Sequence, residues 1–289
     1  MIIVKIIGGL GNQMFQYAMG RCIAIRNSTE LKLDISAFDF YKLHKYGLNK
    51  LNIIENLATV KETEKFLKTE KKYGFNWLVN IGIPYYKRAY IREKSIRYDP
   101  DLMNVKNNVY LDGYWQSEKY FKNIENIVRE EFKIIDDYDR INTEMANKIL
   151  ESNAVSIHIR RGDYISDLKT NAIHGTCSLD YYNKAIEDIQ LFIDDPHFFI
   201  FSNDPQWVKK NFLNPQIMTL VDINGPENGH QDLRLMSLCK HHIIANSTFS
   251  WWGAWLGINK FKRVYYPKKW FNVDYYDTSD LIPDSWHLI

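Results

Sequence analysis

Hydrophobic and polar positions follow two periods along this chain, and the switching between them lays out an α/β protein. Ile2 to Ile7 is a short apolar run interrupted by Lys5, and Gly8-Gly-Leu-Gly-Asn12 follows it. Met14, Ala18, Cys22 and Ile25 then recur on one helical face, and Glu30-Leu-Lys-Leu-Asp34 returns to strand. Strand, glycine turn, helix and strand make a β-α-β opening, the unit from which parallel sheets grow. Residues 35–108 show no clear period and are assigned loosely to helices and loops. Val109 to Tyr114 reads as a strand, Ser117 as the cap of a helical stretch to about Phe132, and a further helix lies near 140–151.

A second alternation begins at Ala154. Strands are predicted at 154–159, 197–202, 217–221, 242–245 and 263–266, with helices near 179–193, 205–212 and 230–240 and one starting at Ser247-Thr248. No internal repeat is visible, but two similar α/β halves are implied, divided at 152/153. Two Rossmann-like halves facing one another place a cleft at the carboxyl ends of their strands, where such folds bind ligands.

Composition narrows the classes. A length of 289 residues suits two domains, and 37 Lys+Arg against 35 Asp+Glu is too balanced for a general nucleic-acid binder. Cys22, Cys177 and Cys239 are far apart, so neither a disulfide framework nor a zinc ribbon is indicated. The first residues lack the pattern of a signal peptide. The apolar stretch Phe75 to Tyr86 is broken by Asn76, Asn80, Gly82 and Pro84 and falls short of the roughly 20 residues a span needs. A cytoplasmic, non-spanning protein is expected. Residues 61–97 carry ten Lys/Arg against four Glu, a local net of +6. A peripheral contact with the inner membrane surface is one reading of that stretch, and a solvated helix face beside a buried segment is the preferred one.

The candidate chemistry sits where strands end. Gly8-Gly-Leu-Gly-Asn12 places small residues and backbone N–H groups at a helix start, which suits an anion or a purely structural turn; it lacks the last glycine of a dinucleotide fingerprint and the lysine of a P-loop. His158-Ile-Arg-Arg-Gly-Asp-Tyr164 puts two guanidiniums at a strand end, and Arg binds phosphate oxygens in a bidentate fork without needing a metal. The competing reading is an ion-pair network among Arg160, Arg161, Asp163 and Asp167. Asn203-Asp204 could accept N–H groups of a guanine or cap the following helix. Asn246 to Ser250 forms a further helix start with hydroxyls, and Trp251, Trp252 and Trp255 read as core. Asp137-Tyr-Asp139 reads as a helix cap and His241-His242 as strand residues, so no metal site is expected.

Taken together, Gly8-Gly-Leu-Gly-Asn-Gln-Met-Phe-Gln16, His158-Ile-Arg-Arg-Gly-Asp-Tyr164, Phe201-Ser-Asn-Asp204 and Asn246-Ser-Thr-Phe-Ser-Trp-Trp-Gly-Ala-Trp-Leu256 resemble the bacterial α-1,2-fucosyltransferases, glycosyltransferase family 11. Tyr114-Trp115-Gln116 also matches, and the likeness thins between about residues 40 and 105. The resemblance implies an α/β fold of glycosyltransferase-B type with two facing Rossmann-like domains, residues 1–152 mainly on the acceptor side and 153–289 binding GDP-fucose. It implies inverting transfer from GDP-β-L-fucose to the 2-hydroxyl of galactose in a glycan, free or lipid-linked, for O-antigen or capsule synthesis, with no metal or other cofactor and no nucleic acid.

Carried over by motif, the donor-binding residues are Gly11, Asn12, Gln13, His158, Arg160, Arg161, Asn203, Asp204, Ser247, Thr248, Phe249 and Ser250, and the acceptor-binding residues are Tyr114, Trp115 and Gln116. Arg160 and Asp163 are the catalytic pair. Asp163 leads as base, followed by Asp167 and His158; a salt-bridged Asp163 would be a poor base and would orient instead. The rival readings are a fucosyltransferase of another linkage, one acting on protein hydroxyls, and a non-catalytic sugar-binding surface built from the eight Trp and 19 Tyr. A kinase is disfavoured by the missing P-loop lysine.

Overall fold

The computed structural model describes residues 1–75 and 83–289, with the side chains of 69–75, 163 and 166 outside that description. Residues 76–82 of the apolar stretch, and with them part of the membrane-contact reading, therefore lie outside the described residues. Among the described residues no helix is long and apolar enough to cross a membrane. The chain divides into two compact units, Met1–Lys133 with Asp277–Ile282, and Ile134–Tyr276 with Pro283–Ile289.

The first unit contains β1 (Ile2–Lys5), α1 (Leu10–Arg26), β2 (Leu31–Asp34), α2 (Val60–Phe75), β3 (Tyr90–Arg92), β4 (Val109–Asp112) and α3 (Glu125–Glu131). Its four strands pair in parallel in the order β2-β1-β4-β3. Ile2, Ile3 and Val4 are all fully buried, as expected of a central strand covered on both faces. The approach of α1 to the sheet depends on Gly20, where a Cβ would come within 2.9 Å of Leu31 and 3.1 Å of Val4. Strand β3 has no counterpart in the expected elements. Three residues inside a charged stretch give no usable period, and what holds them is the ladder to β4 and the stacking of Tyr90 on Tyr110 at 5.3 Å.

The helical stretch expected from Ser117 to Phe132 is broken. Short 3₁₀ turns at Glu118–Tyr120 and Lys122–Ile124 precede α3, because Phe121, at φ −133° and ψ 11°, leaves helical geometry to bury its ring. Asp277–Ile282 joins this unit through Asp280, whose carboxylate accepts from Tyr98 N (3.1 Å) and Lys119 Nζ (2.6 Å).

The second unit contains α4 (Arg140–Leu150), β5 (Asn153–Ile159), α5 (Gly162–Ser166), α6 (Leu168–His174), α7 (Leu179–Gln190), β6 (Pro196–Ser202), α8 (Pro205–Asn211), β7 (Met218–Val221), α9 (Gly229–Leu238), β8 (His241–Ile243), α10 (Thr248–Leu256), β9 (Val264–Tyr266) and β10 (His287–Leu288). All six strands are parallel, ordered β10-β9-β8-β5-β6-β7. One core layer packs Tyr182, Ala185 and Ile189 of α7 on Val155, Ile157 and Ile200. The other packs Met145, Ala146 and Ile149 of α4 with Leu235 and Met236 of α9 on Ala154, Phe199 and Phe201. Helix α4 thus supplies core to the second sheet, which is why the units meet at 133/134 rather than at the 152/153 suggested by the start of β5.

Candidate active site

All strands of a sheet run the same way, so the loops that follow them gather along one edge. In the second unit that edge begins with His158. Its ring is buried, packs 5.6 Å from Phe249, and has no hydrogen-bond partner for Nδ1 among the described residues. Burial, reinforced by the charge of Arg160, pulls the imidazole down to about 3, which favours its neutral form.

Arg160 lies over the Tyr164 ring at 5.2 Å, and Arg161 stacks on Trp207 at 3.9 Å while its Nε reaches Asp204 Oδ2 at 3.4 Å. Asp204 also caps α8, its Oδ1 accepting from Trp207 N at 3.1 Å. Asn203 Oδ1 accepts from Arg161 N at 2.9 Å, and Gly162 leaves no space for a Cβ, which would stand 2.3 Å from Asn203 Nδ2. The Asn203-Asp204 pair therefore fixes the arginine loop in place, and the capping reading of Asp204 is observed. Arg161 pairs with Asp204, a carboxylate outside the expected network of Arg160, Arg161, Asp163 and Asp167.

The start of α10 adjoins this loop on the neighbouring strand. Tyr164 Oη donates to Asn246 O at 3.4 Å, joining the two segments. Asn246 is a bolt: its Nδ2 donates to His174 O (2.8 Å) and Trp270 O (3.2 Å), and its Oδ1 accepts from Cys177 Sγ (3.5 Å). Ser247 occupies the N-cap position without a side-chain capping bond, and the buried Ser250 hydroxyl donates back to Ser247 O at 3.2 Å. Thr248 and Phe249 are half-buried on the first turn. Trp251, Trp252 and Trp255 are packed inside, as expected.

Among the carboxylates considered as bases, the Asp163 side chain lies outside the described residues. Asp167 caps α6, accepting from Thr170 Oγ1 and Lys169 N at 2.9 Å each, and these bonds hold its carboxyl below the usual range. One ionisable group escaped the sequence reading. Asp232, on the first turn of α9, accepts from Asn224 Nδ2 at 2.8 Å, and burial raises its carboxyl to about 7. A carboxylate at a helix start reads in sequence as a favourable dipole contact, whereas burial in the folded unit is what disfavours its charged form here.

In the first unit the glycine loop begins with Gly8 at φ +90°, a conformation that favours glycine. Gln13 is fully buried, its Nε2 donating to Gly8 O and Lys45 O (2.8 Å each) and its Oε1 accepting from Gly47 N (2.9 Å). Its amide is spent on loop backbone. Gly11 is buried at the start of α1, and Asn12 Oδ1 accepts from Gln116 Nε2 at 3.0 Å, tying the glycine loop to the loop after β4.

That second loop is held by Glu93, whose oxygens accept from Tyr114 N (2.7 Å) and Trp115 N (2.9 Å), and Trp115 adopts φ +56°. The Trp115 ring is sealed in the core near Tyr120, whereas Tyr114 is exposed and Gln116 half-buried. Of the three acceptor candidates, Tyr114 and Gln116 present side-chain surface. Glu93 was not recognised from sequence, because a lone Glu in a basic stretch reads as surface charge.

Among the described residues no group of three His, Cys, Asp or Glu is placed to hold a metal ion. Asp139 caps α4, accepting from Asn142 N at 2.7 Å, and His241 Nδ1 accepts from Arg263 N at 3.0 Å.

Two Rossmann-like units, each with a parallel sheet and polar loops at its carboxyl edge, define a glycosyltransferase-B type fold. The chain belongs to glycosyl transferase family 11, whose profile matches residues 1–286. It is 35% identical to the alpha-1,2-colitosyltransferase of Escherichia coli, over 99% of this chain and 97% of that one. It is 33% identical to the O-antigen biosynthesis glycosyltransferase WbnK of Escherichia coli, over 96% and 97%. A solved structure of Arabidopsis thaliana FUT1 in complex with GDP superposes with a TM-score of 0.54 at 13% identity, covering 92% of this chain and 70% of that one, and so shares the fold. The protein is a glycosyltransferase.

Proposed function

We propose that the protein transfers L-fucose from GDP-β-L-fucose, with inversion and without a metal, to the 2-hydroxyl of a galactose residue in the assembly of a surface polysaccharide such as O-antigen. The observation that carries this reading is the arginine pair at the end of β5 joined to the start of α10. In an inverting displacement the acceptor oxygen bonds the anomeric carbon while the bond to the β-phosphate breaks, so negative charge grows on the leaving GDP. Guanidiniums and helix-start N–H groups are donors suited to that charge. Arg161 is held by Asp204 and Trp207 before any ligand arrives, which avoids reorganisation during the reaction. Arg160 is assigned the diphosphate, His158 and Phe249 the nucleoside side, Asn12 a further donor contact, and Tyr114 and Gln116 the acceptor.

A second reading is favoured by the colitosyltransferase relative: the donor sugar is colitose, the 3-deoxy counterpart of L-fucose, carried to the same hydroxyl. Calorimetry with GDP in EDTA, followed by incubation of either nucleotide sugar with lactose and linkage analysis of the product, tests both. GDP binding and an α1-2 product are expected, with the higher kcat/KM naming the donor. Arg160→Ala is expected to abolish transfer while the fold stays intact. Absence of GDP binding by the wild-type protein would refute the arginine-pair reading.

A further inference from the structure

Tyr164 lies in α5, a helix of five residues, too short to hold its own shape, so its ring is placed by what packs around it. Arg160 Cζ stands over that ring at 5.2 Å. The same ring is stacked on His174, with centroids 4.9 Å apart and planes 22° from parallel. Asn171 Nδ2 donates to the Tyr164 carbonyl at 2.5 Å, and Tyr164 Oη donates to Asn246 O at 3.4 Å.

His174 is itself pinned. Its carbonyl accepts from Asn246 Nδ2 at 2.8 Å, its ring meets Phe271 at 5.2 Å, and the preceding carbonyl, of Ile173, accepts from Asn272 N at 2.8 Å. Asn246 therefore bonds both members of the stacked pair, and it stands one residue before Ser247, the N-cap of α10. The two arginines of the loop are steadied differently. Arg161 meets the Asp204 carboxylate and the Trp207 ring, whereas Arg160 lies on an aromatic face that is tied to the start of α10.

We propose that Tyr164 is a positioning residue for donor binding: its ring, stacked on His174 and joined to Asn246, holds the Arg160 guanidinium in register with the start of α10. This rests on the reading of that arginine and that helix start as the diphosphate site. An aromatic face attracts a guanidinium through its quadrupole, so the contact orders Arg160 without cancelling its charge as a carboxylate would. A donor ordered before the ligand arrives lowers the cost of binding it.

GDP affinity is measured by calorimetry for wild type, Tyr164→Phe, Tyr164→Leu, Arg160→Ala and the double variant Arg160→Ala with Tyr164→Leu. Initial rates with GDP-fucose and lactose are taken for the first three. Tyr164→Leu is expected to raise the Kd for GDP about tenfold and to lower kcat/KM for GDP-fucose by at least as much. Tyr164→Phe, which keeps the ring, should stay within about threefold of wild type on both. With Arg160 already replaced by Ala, Tyr164→Leu should change the Kd by less than about twofold, because the contact it removes is gone. Three results overturn the proposal: a Leu variant within about threefold of wild type, a Phe variant as impaired as the Leu variant, or a Leu effect of the same size in the Arg160→Ala background, as a merely structural loss would give. Should Tyr164→Leu fail to fold, pentafluorophenylalanine at position 164 keeps the shape of Phe while withdrawing electron density from the ring face, and its Kd is read against Tyr164→Phe by the same thresholds, with and without Arg160. GDP binding by the wild type decides the underlying reading, and the ratios among variants decide the role of Tyr164.

Discussion

Replacing Asp232 by asparagine tests the reading of the second unit by thermodynamics alone. In the folded chain this carboxyl stands at about 7 instead of its ordinary 3.8, chiefly because burial disfavours the charged form, with the Asn224 bond opposing and the nearby Asp222 charge adding to the rise. A folded-state value above the unfolded one means the native protein binds the proton more tightly. Stability from this group is therefore greatest below the unfolded value and is lost as pH rises towards 7. The difference corresponds to about 4 kcal/mol as an upper limit, at 1.36 kcal/mol per pH unit. Part of the residue remains solvent-accessible, so about 2 kcal/mol is the expected size.

Asn keeps the shape and an oxygen for Asn224 Nδ2 but carries no charge. Asp232→Asn should then unfold at higher urea than wild type above pH 7, by about 2 kcal/mol, and approach it at about pH 3, below the unfolded value, where the wild-type carboxyl is mostly neutral in both states. A variant equally or less stable than wild type above pH 7 would refute the argument.

Two further outcomes follow from the site geometry. Arg161→Lys should lower turnover by about 10²-fold with little change in melting temperature, because an ammonium can replace neither the planar stack on Trp207 nor the fork for phosphate; initial rates and thermal melts check it. Glu93→Gln presents an NH₂ group to one of the two amides it now accepts from, which frees the Tyr114–Gln116 loop. Initial rates over a range of lactose should show an acceptor KM raised about tenfold, and an unchanged KM would show that the loop does not touch acceptor.

Much of the architecture was legible. The strands at 154–159, 197–202 and 217–221 and the helices near 179–193, 205–212 and 230–240 stand within a few residues of their expected bounds, because each carries enough buried apolar positions to show its period. The short helices α5 and α6, the strand β3 and the terminal strand β10 did not show. They are two to seven residues long, and they are held by partners distant in sequence, such as Tyr90 on Tyr110 and Tyr164 on Asn246.

The sequence by itself determined the family, the alternation of strands and helices, and the clustering of polar motifs just after strands, since these depend on local order and on residue type. Only the tertiary structure decided what each polar group is left to do. Asn203 and Asp204 brace the arginine loop, Gln13 is consumed by backbone, Trp115 is core, and Asp232 is a carboxyl driven towards neutrality. Hydrogen-bond partners and loss of water arise when segments far apart in the chain are packed together, and no local pattern encodes that.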